Sequence, residues 1–170
     1  MNAQVVTPLV HIDELEFTRD LQHGERFAAK LASVSQRVGA RKLGYNVTSV
    51  PPGKRAFPFH NHHANEEMFF ILEGEGTLRY GSQEMPVRKG HFIACPCGGP
   101  DTAHQLINTG AGELRYLALS TTIDTDIWQY PDSGKFGAVG GRQPGTVPPV
   151  ASFSAKFVPE SADVDYWHGE

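Results

Sequence analysis

Two histidines one residue apart, a glutamate close behind and a third histidine further on, namely His60, His62, Glu67 and His104, are the residues of this chain best suited to chemistry. In an extended strand, residues two apart point to one face, so His60 and His62 can offer both imidazoles to one ion while Asn61 turns away. After the polar stretch from His63 to Asn65 comes the apolar run Met68 to Leu72, which reads as a neighbouring strand. Glu67 stands at its start and could supply a carboxylate; Glu66 beside it competes for that role. Imidazoles and a carboxylate without thiolate suit one divalent transition metal, such as zinc, nickel, iron, manganese or copper, better than calcium or magnesium. Imidazole ligates only when neutral, so occupancy is expected to weaken as pH falls through roughly 6.5.

The elements that must hold these residues read as short strands. Residues 25–37 and 41–50 are expected to form two strands around a turn at Gly39. Gly81-Ser82 resembles a two-residue hairpin loop, Lys89-Gly90 is a second turn, and the segment after Thr109 to Gly112 is expected to make a closing strand. Strands at this spacing suggest a sandwich or barrel. In the run from Glu67, Phe69 and Ile71 share a side with the carboxylate, while Met68, Phe70 and Leu72 share the other. Both faces are apolar, so the outer set should pack on another sheet, on the C-terminal segment or on a second copy, and a homodimer is expected.

Gly53, His60, His62, Glu67 and Gly74 resemble the first motif of the cupin superfamily, and Gly90, Pro96, Gly98, His104 and Asn108 resemble the second, in the expected order. The resemblance favours Glu67 over Glu66, because Glu67 alone keeps six residues before Gly74. Gly99, Pro100 and Asp101 lengthen the second motif. The resemblance implies an all-β, cupin-type jelly-roll barrel (a double-stranded β-helix) over residues 25–122, with an N-terminal arm over 1–24 and a long irregular C-terminal tail over 123–170. It also implies His60, His62, Glu67 and His104 as metal ligands. Members include isomerases, dioxygenases, decarboxylases and non-catalytic binders, so the fold does not select a reaction. The expected function is a small metal-dependent enzyme acting on a small polar substrate in the manner of a sugar-phosphate isomerase. The ion would be the Lewis acid and Glu66 or His63 would move the proton. An iron-dependent dioxygenase and a non-catalytic ligand-binding barrel are the alternatives.

A chain of 170 residues can bury roughly 70% of its unfolded surface, enough for one domain without staples. A net charge of −4, only 15 Lys and Arg, and no basic run argue against nucleic acid or an anionic membrane as partner, leaving small molecules. Residues 1–17 lack a basic segment followed by a long apolar stretch, and no window reaches the length of a membrane span, so a cytoplasmic location is expected. Cys95 and Cys97 are too close together to close a useful disulfide loop and are expected to be reduced. No nucleophilic triad or phosphate-cradling glycine loop is present. Residues 123–170 show little periodicity but carry Trp128, Tyr130, Phe136, Phe153, Phe157, Tyr166 and Trp167, too many aromatics for an ordinary disordered segment. This segment is therefore expected to wrap the barrel or a partner subunit.

Overall fold

Alternation of apolar and polar residues, broken every few positions by glycine, sets up a chain of short antiparallel strands. A computed structural model describes residues 7–142, 151–153, 157–159, 161 and 168. The strands are β1 (Arg19–His23), β2 (Phe27–Ser33), β3 (Leu43–Val50), β4 (Asn61–His62), β5 (Glu67–Glu73), β6 (Glu75–Tyr80) and β7 (Gln83–Arg88). They continue as β8 (Phe92–Cys95), β9 (His104–Ile107), β10 (Leu114–Thr121), β11 (Asp126–Tyr130), β12 (Lys135–Arg142), β13 (Ala151–Phe153) and β14 (Val158–Pro159).

One sheet has the order β1-β2-β3-β10-β5-β8. The opposite layer consists of β7-β6-β9 and of β4-β11-β12-β13, with β14 also on β12. A bridge between His60 and His104, with hydrogen bonds of 3.2 and 2.8 Å in the two directions, joins these two pieces into one layer. Two antiparallel layers closed in this way form the jelly-roll barrel, the fold that the sequence implies. No helix among the described residues is long and apolar enough to cross a membrane.

Strand β5 follows its sequence pattern. Phe69 and Ile71 turn into the barrel and are buried, while Met68, Phe70 and Leu72 on the outer face are half-buried. Phe70 packs against Phe92 with ring centroids 4.4 Å apart, and Phe92 itself remains 74% exposed. The strand ends at Gly74, where φ is +81° and an added Cβ would lie 2.2 Å from the carbonyl oxygen of Glu113. Only glycine fits both conditions. Gly81-Ser82 forms the expected two-residue connection between β6 and β7.

The segment 25–37 is strand only to Ser33; Ser35–Val38 is a short helical turn, α1, ended by Gly39 at φ 74°. A left-handed glycine terminates helical turns more readily than it joins two strands of this pairing. Beyond residue 122, where an irregular tail is expected from the sequence, β11 pairs with β4 and β12 with β11, so regular strands extend the second layer. Phe153 belongs to β13, whereas Tyr166 and Trp167 lie outside the described residues. Cys95 is buried and Cys97 exposed, and both are free thiols.

Candidate metal centre

The side chains of His62 and His104 come from β4 and β9 of the second layer, that of His60 from the bridge position just before β4, and that of Glu67 from the start of β5 in the first layer. All four converge inside the barrel. The Oε2 atom of Glu67 lies 3.9, 3.6 and 3.0 Å from the Nε2 atoms of His60, His62 and His104. The ligand atoms of His60, His62 and Glu67 all fall within 4.8 Å of one another, so these three residues could hold a metal ion. The His104 ring stands beside that of His60, with centroids 4.8 Å apart.

Hydrogen bonds at the other ring nitrogen orient each imidazole. The Nδ1 of His60 donates to the carbonyl of Pro58 at 2.8 Å, that of His62 to the Asp126 carboxylate at 2.6 Å, and that of His104 to the carbonyl of Thr102 at 3.2 Å. With Nδ1 so engaged, a neutral ring carries its lone pair on Nε2. Three Nε2 atoms therefore gather about one carboxylate, with that of His104 in hydrogen-bond contact with it, and the His60–His62–Glu67 group could hold a cation. The Nε2 of His62 is buried and has no hydrogen-bond partner, which leaves it free to ligate. This donor set fits a divalent transition ion.

Electrostatics agree with the geometry. Burial, and then the neighbouring His104, lower the pKa of His60 to about 4, so the ring is neutral at physiological pH. Burial works to raise the pKa of Glu67, but the hydrogen bond with His104 and the nearby imidazoles prevail and hold it below the usual carboxylate range. The loop that lengthens the second motif is one helical turn, Pro100–Thr102, and it supplies the Thr102 carbonyl that orients His104.

Glu66 and His63 are exposed and stand outside the cluster; the Nε2 of His63 lies 2.9 Å from the side-chain oxygen of Gln129. Asn108 is fully buried but organises a turn, donating to the carbonyls of Val50 and Gly112 at 2.7 and 2.8 Å. Phe57, Phe69 and Tyr116 line a cavity of about 20 Å³ beside His60 and His104, large enough for one water. Tyr45, three positions from the inward-facing Thr48, falls on the other face of β3.

Sequence reasoning missed Asp126, Trp128 and Tyr130. Asp126 is buried and accepts from His62 Nδ1, from the Trp128 indole at 3.0 Å and from the backbone of Ala64 at 3.0 Å and Asn65 at 3.4 Å. Burial opposes its ionisation, yet the hydrogen bonds from His62 and Asn65 hold its pKa well below the normal range. Trp128 meets His62 edge-on at 6.2 Å, and Tyr130 stacks on His60 at 5.9 Å with 22° between the rings. The three residues alternate along β11, a period-two signal that was present in the sequence.

Residues 46–120 match the cupin domain family. Over 71 residues the chain is 35% identical to an uncharacterized protein of Methanocaldococcus jannaschii, covering 42% of this chain and 54% of that one. It is 30% identical over 70 residues to an oxalate-binding protein of Thermotoga maritima, covering 41% of this chain and 54% of the relative. The chain thus spans about half the length of these curated relatives. Among solved structures, a putative sugar phosphate isomerase from Acidithiobacillus ferrooxidans has a TM-score of 0.74 at 24% identity, covering 94% of this chain and 96% of the other. A sugar phosphate isomerase from Silicibacter pomeroyi has a TM-score of 0.75 at 19% identity, covering 91% of this chain and 94% of that one. At these identities the structural likeness is one of fold.

Proposed function

The chain is a cupin-domain protein, and on that premise we propose that it is a mononuclear metalloenzyme acting on a small polar substrate in the manner of a sugar-phosphate isomerase. His60, His62, Glu67 and His104 are the proposed ligands. The observation that carries this reading is the convergence of three Nε2 atoms on the Glu67 carboxylate, with each Nδ1 already engaged. A bound divalent ion would act as a Lewis acid toward a carbonyl or hydroxyl oxygen of the substrate. The protein's part is to hold the imidazoles in one tautomer and to keep water out with Phe69, Trp128 and Tyr130. Burial, followed by the charge of Glu67, raises the pKa of the Tyr130 phenol, so it stays protonated and can donate a hydrogen bond to a substrate oxygen. The isomerase reading is supported by structural neighbours of that description that extend over more than nine-tenths of this chain.

The test is elemental mass spectrometry of untagged protein purified without added metal, beside His62→Ala and His104→Ala variants, followed by isomerase assays on sugar phosphates. Near-stoichiometric metal in the wild type, lost in both variants, together with turnover, is the expected result. Iron with oxygen consumption would instead indicate a dioxygenase. Failure to take up any added ion would leave a metal-free binding barrel.

A further inference from the structure

Resting on that reading of the site, we propose that Lys135 receives the anionic end, phosphate or carboxylate, of a small ligand whose oxygen-bearing end reaches the His60–His62–Glu67 cluster. Lys135 is paired directly with Tyr130 across β11 and β12, so the two side chains leave the same face of the sheet. That face carries the cluster, since Tyr130 stacks on His60. The Nζ atom of Lys135 lies 5.2 Å from the centre of the Tyr130 ring and 5.7 Å from that of Phe157. The Tyr130 ring thus neighbours both the cation and His60, whose ring centre is 5.9 Å away.

What surrounds the cation makes it suited to a ligand. Lys135 is half-buried, with its stem in the wall and its charge over two rings. Arg79 and Arg115 are each matched by a carboxylate, Asp132 and Glu73 respectively. Among the described residues, no carboxylate oxygen comes within 4.0 Å of Lys135. Aromatic faces attract the charge but accept none of its three N–H donors in ordinary hydrogen bonds, and an oxyanion can take them.

The wall beside Lys135 is built to close. A Cβ at Gly137 would come 3.2 Å from two ring carbons of Phe157 and 3.2 Å from Trp128, so the bare glycine lets Phe157 settle on Trp128. Strand β14 holds Phe157 there by pairing Val158 and Pro159 with Phe136 and Lys135. The ligand class that fits is a hydroxylated carbon chain with a terminal anion: oxygens for the cluster at one end, a charge for Lys135 at the other, and carbon between them against Trp128 and Tyr130.

The experiment is calorimetric binding of glucose 6-phosphate, glucuronate and glucose to metal-loaded full-length wild type, Lys135→Ala and Lys135→Arg, with metal content measured on each. Wild type should prefer a charged probe to glucose by about tenfold, and the alanine variant should lose that preference while the arginine variant keeps most of it. Added salt should weaken the charged probe more in wild type than in Lys135→Ala. Preference for glucose 6-phosphate identifies a phosphate as the natural end, and preference for glucuronate a carboxylate. Equal binding of the charged probes by wild type and Lys135→Ala, or no preference for charge in wild type, overturns the proposal. Absence of metal in all three proteins would defeat the reading of the centre instead, while the charge preference would still be read on the same samples.

Discussion

The first layer of the barrel buries Val50, Phe69, Ile71, Leu114 and Tyr116 with the uncharged Thr48, whereas the second layer and its connecting loops bury Leu78, Val87 and Leu106 together with Asn61, Asn65, His104, Gln105, Asn108 and Asp126. Apolar side chains need only fill space, but each buried polar atom needs a partner with the right direction. The first layer is therefore a platform that contributes a single carboxylate, Glu67, to the centre. The second is a wired surface in which His62 is held by Asp126, His60 by Pro58 and His104 by Thr102. Stability and metal affinity should thus respond to different residues, although both layers face the same interior.

The largest separation is expected from Ile71→Ala, which empties a fully buried position of the platform. Chemical denaturation should show a loss of about 2–5 kcal/mol, while metal stoichiometry stays unchanged under conditions where the variant is folded. A loss of metal at full folding would mean that the platform also sets the ligand geometry. Asp126→Ala is the reverse case, since it leaves the donors of His62, Trp128 and Ala64 without their common acceptor. Competition with a chelator should report metal affinity weaker by roughly 10–100-fold, with a smaller cost in stability. Unchanged affinity would show that His62 is held by packing alone.

The effect of pH is spread over a wider range and is the smallest at any one step. His60 has a pKa of about 4 in the folded chain against 6.5 as its ordinary value, so between those values the unfolded chain binds more protons. Stability of the metal-free protein should be complete above about 6.5 and decline as pH falls toward about 4. The depressed pKa of Glu67 extends the decline in the same direction at lower pH. Melting temperatures measured across this range should fall for wild type and fall less for His60→Gln. Parallel slopes for the two proteins would assign the decline to other groups.

The histidine pair, Glu67, His104, the hairpin at Gly81-Ser82 and the inward face of β5 were all legible, because each depends on strand periodicity or on a short motif. The helical turn at Ser35–Val38 was not, since its residues read equally well as the end of a strand and only Gly39 marks the stop. Asp126, Trp128 and Tyr130 do alternate in the sequence, but that alternation says nothing about which histidine lies opposite. Trp128 is paired with His62 across 66 positions of chain, and no local rule sets such a pairing.

Side-chain period and backbone freedom are local properties, so most strands and turns of residues 25–122, and the set of residue types suited to a transition ion, could be read from the chain alone. The tertiary structure decided which of those residues meet. It brought Glu67 of one layer against three imidazoles of the other, turned Asp126 onto His62, and set Lys135 beside the ring that stacks on His60. The physical reason is that sheet register and the closure of two layers act between segments far apart in the chain, and they are settled by the burial of the whole barrel at once.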